Sequence, residues 1–312
     1  MQKISIVTSL YKSSDYVFEF YQRHLACLKE MKVDYEFIFV DDGSPDDSSD
    51  KVKELIQNDT KIKLIIFSRN FGQYPAMFAG LAYAEGDLIY TSDSDLEEPP
   101  ENIKLLYNKL ILDQNIDFLY GVTSNRSGGI VKSFLGGIFY RIIRWSSDLD
   151  IPKNISWQIL MTKNYKNALL LHKEAETLPA GLMVITGFNQ DYILIDKTYK
   201  GSTSYTFKKR LRLAFNSITA FSSKPLVVIG ILGIFITLIS FIGILTFVIL
   251  KLFFINFQSG WISVILSIWL VGGLILSSLG IIGIYLAKVF NQIKNRPLYI
   301  IKSIISNKTN QK

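Results

Sequence analysis

Five carboxylates fall within nine residues in the stretch Ser92-Asp93-Ser94-Asp95-Leu96-Glu97-Glu98-Pro99-Pro100-Glu101. Charges this close repel one another unless a cation sits among them. Hard divalent ions take oxygen ligands, and Mg²⁺ commonly bridges one or two carboxylates to a substrate's phosphates. A solvated acidic turn capping the next helix would use the same residue types. A second acidic segment is Val40-Asp41-Asp42-Gly43-Ser44-Pro45. Its two carboxylates can accept hydrogen bonds from a base or a ribose. They would equally suit a turn with a helix N-cap. Position in the fold has to decide between these readings.

Other chemistries leave no trace. Neither GxxxxGK[ST] nor a GxGxxG after a strand is present, so no P-loop or dinucleotide fingerprint supports the domain. Two histidines, His24 and His172, offer no Ser-His-Asp array and read as helix-surface residues. The single cysteine, Cys27, cannot form an internal disulfide and reads as packed in the helix that carries His24. The opening MQKISIVTSLYKSSDY lacks the apolar core of a signal peptide, so a reducing cytoplasm is expected for this part.

The elements that must position these residues follow from periodicity. Apolar, β-rich runs at Ile4–Thr8, Tyr35–Val40, Lys63–Phe67, Leu88–Thr91 and Phe118–Tyr120 alternate with helical stretches near 15–30, 47–58, 73–85 and 100–112. That is the spacing of repeated βαβ units. It predicts an α/β fold with a mostly parallel sheet. Such sheets bind ligands at the carboxyl ends of their strands. Both acidic segments fall there.

The rest of the chain is different in kind. Residues 197–312 carry fourteen basic residues and no acidic one, whereas residues 1–196 are net −7. A basic, acid-free part suits nucleic acid or anionic lipid, and its hydrophobicity favours lipid over nucleic acid. Pro225 to Leu250 and Leu252 to Ala287 contain no charge. A 26-residue helix spans about 39 Å, against ~30 Å of bilayer hydrocarbon. Two transmembrane helices are therefore expected at about 226–250 and 261–287. Lys208, Lys209, Arg210, Arg212 and Lys224 precede the first, and Lys288, Lys294, Arg296 and Lys302 follow the second. The positive-inside rule places both termini in the cytoplasm. The spans hold no ionisable residue, which argues against a solute pathway. Phe207, Leu211, Phe215, Ile218 and Phe221 recur at helical spacing beside Lys208 and Arg212, as in an interfacial amphipathic helix. Val131–Trp145, with Lys132, is a second such candidate or a core helix.

Four ordered motifs carry a family resemblance: VDDGSPDDS at 40–48, SRNFGQYPAMFAGLAYAEGD at 68–87, SDSDLEEPPE at 92–101 and GSTSYTFKKRLRLAFNSITAFSSKPL at 201–226. With the IKNRPLYII ending at 293–301, they make the chain resemble a family 2 glycosyltransferase of GT-A fold. The branch is that of the polyprenyl-phosphate sugar synthases, dolichol-phosphate mannose synthase-like, in its bacterial two-transmembrane-helix form. The resemblance implies a GT-A catalytic domain over 1–204, an amphipathic helix over 205–224, two transmembrane helices over 225–288 and a basic tail over 289–312. It implies a nucleotide-sugar donor, UDP- or dTDP-linked with UDP favoured, a Mg²⁺ or Mn²⁺ cofactor, and undecaprenyl phosphate as acceptor in a bacterial inner membrane. A homotetramer is in keeping with that branch.

Carried over by position, Asp41 contacts the base, with Asp42 and Arg69 beside it. Asp93 and Asp95 lie at the metal and diphosphate. Position 97, usually Gln in better-known members, is Glu97 here and is an expected third metal ligand. Thr8 and Tyr11 are weaker nucleotide contacts, because the family's Pro and Asn-Glu pair is replaced by Thr8-Ser9-Leu10-Tyr11-Lys12-Ser13. The family's Gly-x-Arg is Gly121-Val122-Thr123 here. Arg126 becomes the candidate for the acceptor phosphate, with Lys132 and Lys208. The expected reaction is attack of the lipid phosphate on the anomeric carbon with inversion. The alternative acceptor is a hydroxyl of a lipid-linked glycan, which needs a general base. Asp191 is the nearest candidate for that role.

Overall fold

The structure is a computed structural model that describes residues 2–123, 155–172, 179–196 and 261–307, together with 226–233 and scattered positions up to 249. The expected amphipathic helices at 205–224 and Val131–Trp145, and with them Arg126, Lys132 and Lys208, lie outside the described residues, as does most of the first expected span.

Eight strands form one sheet: β1 Lys3–Leu10, β2 Asp34–Asp41, β3 Ile62–Phe67, β4 Leu88–Thr91, β5 Phe118–Thr123, β6 Ile155–Thr162, β7 Gln190–Ile195 and β8 Ile301–Ser306. Their order is β7-β5-β6-β4-β1-β2-β3-β8. The helices are α1 Val17–Met31, α2 Ser48–Asn58, α3 Gln73–Ala82, α4 Asn102–Leu112, α5 Lys163–Leu169, α6 Pro179–Ile185 and α7 Trp261–Ile293. All five expected strands and all four expected helices are present, within a few residues at their ends. The sheet is mixed rather than mostly parallel. β1, β2, β3 and β4 pair in parallel, as do β5 and β7, whereas β6 and β8 run antiparallel to their neighbours.

Alternation along the strands builds two cores, because successive side chains point to opposite faces. Ile4, Ile6, Phe37, Phe39 and Leu64 pack with Phe20 of α1, Val52 of α2 and Leu106 of α4. Val7, Ile38, Val40 and Ile65 pack on the other face with Met77 and Ala79 of α3 and Tyr165 of α5. Each such fully buried Ile or Phe contributes roughly 1.5–3 kcal/mol. At Gly80 of α3 an added Cβ would lie 2.3 Å from Val7 Cγ1, so this helix sits against β1 only because the position is glycine.

His24 departs from the expected surface position: it is fully buried in α1. Its ring lies 4.1 Å from Phe20 and 5.8 Å from Tyr90, and Nδ1 donates to the Phe20 carbonyl at 2.8 Å. Burial pushes its pKa down to about 4, so the ring is neutral at physiological pH. Cys27 is buried in the same helix, as expected.

The C-terminal part also departs from expectation. Ile301–Ser306 of the expected basic tail form β8, an edge strand hydrogen-bonded to β3. Residues from Pro297 onward group with the sheet domain, while α7 belongs to a second unit. Within α7, Leu270–Ile293 has a mean hydropathy of 2.1 and lies exposed. Among the described residues this is the one helix long and apolar enough to cross a membrane.

Candidate active site

Three loops leave the carboxyl ends of neighbouring strands. β1 lies between β4 and β2, with Val7 opposite Thr91 and Leu10 opposite Asp41. The segments after Leu10, Asp41 and Thr91 therefore emerge side by side. Hydrogen bonds knit them together. The Asp42 amide donates to the Leu10 carbonyl at 3.0 Å, and the Ser92 amide to the Val7 carbonyl at 3.2 Å. The Lys12 amide donates to Ser44 Oγ at 2.8 Å. Ser94 Oγ donates to Ser13 Oγ at 2.8 Å, tying the acidic turn to the β1 loop.

The two aspartates at the end of β2 differ in their partners. Both are buried, with Asp41 4% and Asp42 2% exposed. Asp41 Oδ1 accepts from the Ser44 amide at 2.6 Å, and its other oxygen accepts from the Ser49 hydroxyl. An ionised carboxylate offers about four lone-pair sites, so capacity remains for a base. Asp42 faces the other way. Its oxygens accept from the Phe71 amide at 2.7 Å and the Gly72 amide at 2.9 Å. Burial raises its pKa, and the two amides counter that. Asp42 is thus a clamp on the loop after β3. Contact there is close, since a Cβ on Gly43 (φ +64°) would lie 2.6 Å from the Arg69 carbonyl carbon. Nearby, burial works against the ionised form of Asp46, but hydrogen bonds from Ser44, Ser48 and the Ser14 amide outweigh it and hold the pKa at about 2.

The acidic turn after β4 is half-buried at Asp93, Asp95 and Glu97. Asp93 Oδ1 accepts from Nε2 of Gln73, the first residue of α3, at 2.6 Å. Asp95 Oδ1 accepts from the Glu97 amide at 3.0 Å. Leu96 between them has φ +56°, a left-handed conformation that a Leu adopts at a cost of about 1–2 kcal/mol. Glu98 is buried, and its carboxylate accepts from the Ser156 hydroxyl at the start of β6. Gln158 braces the same turn, donating to the Pro99 carbonyl at 2.9 Å and accepting from Asn102 at 2.8 Å. Among the described residues no three His, Cys, Asp or Glu side chains are grouped around a common point. Asp93 and Asp95 offer the carboxylate oxygens that hard divalent ions take as ligands.

The remaining expected residues scatter. Tyr11 is 48% exposed beside the site. Thr8 is buried, and its hydroxyl has no hydrogen-bond partner among the described residues. Arg69 is exposed on the clamped loop, its guanidinium 4.0 Å over the Phe71 ring. Asp191 does not join them. It lies on β7 opposite Leu119 of β5, three strands from β4 and so about 14 Å across the sheet. Lys109 of α4 holds it in an ion pair at 2.5 Å. Burial disfavours its charge, but the Lys109 hydrogen bond prevails and lowers its pKa, the wrong direction for a general base. The reading from sequence also missed Gln73, Ser13, Ser94 and Glu98. Gln73 lay within the quoted 68–87 motif, but nothing in its neighbours marked it as a carboxylate partner.

An α/β sheet with acidic turns at adjoining carboxyl ends has the layout in which sheets of this class bind their ligands. The comparisons make the assignment specific. The pattern of Glycosyl transferase family 2 matches residues 5–164, from β1 into α5. The chain belongs to this family. A Mycobacterium tuberculosis protein is 42% identical over 302 residues, 97% of this chain and 88% of its own. The bactoprenol glucosyl transferase of Shigella phage SfII is 32% identical over 305 residues, 96% of this chain and 97% of its own. Among solved structures, the glucosyl-3-phosphoglycerate synthase of Mycobacterium tuberculosis in complex with UDP aligns with a TM-score of 0.50 at 16% identity, over 70% of this chain and 79% of that one. That likeness shows the shared fold.

Proposed function

We propose that this glycosyltransferase moves a sugar from a UDP- or dTDP-linked donor to a polyprenyl phosphate at the inner face of a bacterial plasma membrane, with inversion. One observation carries the reading. Similarity to the bactoprenol glucosyl transferase does not stop where the family pattern ends at residue 164 but runs through the apolar C-terminal part. A lipid-borne acceptor explains why sheet domain and apolar helices travel together.

The residues then take definite tasks. Asp41 accepts hydrogen bonds from the donor's base while Ser44 and Ser49 fix its carboxylate. Asp42 holds the Arg69 loop beside it. Asp93 and Asp95 present oxygen ligands for Mg²⁺ or Mn²⁺ at the donor diphosphate, and Gln73 orients Asp93. A bound divalent ion would supply neutralisation of charge developing on the leaving nucleoside diphosphate. The acceptor needs little activation, since a phosphate monoester with a second pKa of about 6 is largely ionised at neutral pH. No general base is required, in keeping with the remote, ion-paired Asp191. Basic residues outside the described set, Arg126, Lys132 and Lys208, are proposed to hold the acceptor phosphate by charge-assisted hydrogen bonds.

The test uses the full chain in detergent with radiolabelled nucleotide sugars, Mg²⁺ or Mn²⁺, and undecaprenyl phosphate. Label should enter the organic phase, and should be absent with EDTA and in Asp95→Asn. Retained nucleotide binding without lipid label would overturn the acceptor assignment and favour a glycan hydroxyl.

A further inference from the structure

β8 is the piece of the sheet domain that the chain supplies after its long apolar helix. It lies on the β3 edge with Ile304 opposite Ile65, Ser303 opposite Ile66 and Ile301 opposite Phe67, and the register shifts between Ile66 and Phe67. Contact continues past the paired residues toward the site. The Ser68 amide donates to the Ile300 carbonyl at 3.0 Å. The Tyr299 ring stacks on Phe67, centroids 5.1 Å apart and planes 8° from parallel. Phe67 in turn meets Phe71 edge-on at 5.7 Å. Phe71 and Gly72 are the two residues whose amides Asp42 holds, and Arg69 lies over the Phe71 ring.

A continuous set of contacts therefore runs from Tyr299 through Phe67 and Phe71 to Asp42 and Arg69. We infer that Tyr299, with the Ile300 carbonyl, is a positioning element for the donor-site loop of residues 68–72. Tyr299 touches no reacting group and acts through that loop. The link to donor binding rests on the proposed nucleotide-sugar reading. The mechanical link does not.

The far end of the same strand supplies the control. Ile305 pairs with Leu64 and packs on the opposite core, away from the loop. Tyr299→Ala, Tyr299→Phe and Ile305→Ala are compared in the full chain, in detergent. Hydrogen exchange is read at the Phe71 and Gly72 amides, UDP affinity by calorimetry and stability by thermal unfolding. Tyr299→Ala should speed exchange at those two amides and weaken UDP binding roughly three- to tenfold, about 0.7–1.4 kcal/mol. Tyr299→Phe, which keeps the stacked ring, should restore both. Ile305→Ala should lower the melting temperature and leave both unchanged. Equal exchange in Tyr299→Ala and Ile305→Ala would overturn the inference, as would unchanged UDP affinity in Tyr299→Ala. A wild-type chain that binds no nucleotide would refute the donor reading instead, and the exchange data would still decide the coupling.

Discussion

Asp42 and Asp95 both belong to the acidic site, yet removing each should do different things. Asp42→Ala leaves the Phe71 and Gly72 amides without their acceptor. A lost buried hydrogen bond costs about 1–3 kcal/mol, so the variant should unfold at measurably lower denaturant as well as bind UDP more weakly. Asp95→Asn touches a half-buried turn and should abolish transfer while moving the melting point little. Equal destabilisation by both would refute this division of roles. His24 supplies a pH test. Its folded pKa is about 4, against about 6.5 in an unfolded chain. Between those values the unfolded chain binds more protons, so stability should fall as pH drops from about 6.5 towards 4. The full shift corresponds to something on the order of 3 kcal/mol. Urea unfolding at pH 7 and pH 5 should show the slope in wild type and a flatter one in His24→Leu. The strand-end placement of Asp41, Asp93 and Asp95 was legible in the sequence, because the apolar runs of β2 and β4 stop just before them. The clamp made by Asp42 was not, because its partners are backbone amides, and any sequence has those.

At the scale of elements, α3 is the tightest fit. Gly80→Ala would put a methyl 2.3 Å from Val7 Cγ1 and 3.2 Å from Val40 Cγ2. Overpacking of this kind costs typically about 1–3 kcal/mol. Since α3 also carries Gln73, the variant should lose both melting temperature and donor affinity. A neutral result would mean that β1 and α3 can separate freely. The first five strands were legible because apolar runs, turn residues and helices alternate locally. β6, β7 and β8 were not. β8 pairs with β3, from the far end of the chain, and a short run such as Ile301-Lys302-Ser303-Ile304-Ile305-Ser306 after an apolar helix looks like a basic tail. Asn307 donating to the Ile56 carbonyl, 251 residues away, shows how non-local that contact is. The mixed character of the sheet followed from the same omission.

At the scale of the whole molecule, the chain joins an acidic sheet domain to a basic, apolar C-terminal part. The proposed membrane site predicts that the full chain sediments with membranes and resists extraction by carbonate or high salt. Release by salt alone would reduce α7 to a peripheral contact. Basic residues flanking the apolar segments should place the sheet domain on the cytoplasmic side, which protease protection in spheroplasts and inverted vesicles would check. The antiparallel strand β8 has one more consequence, for biosynthesis. A ribosome adding roughly 5–20 residues per second completes β3 long before β8 exists. During that interval the β3 edge has no partner, and open strand edges template aggregation. In the proposed membrane role, the apolar helix is handed to the insertion machinery before the sheet can close. Nascent chains stalled ahead of Pro297 should therefore depend on chaperones, although every carboxylate of the site has already been made.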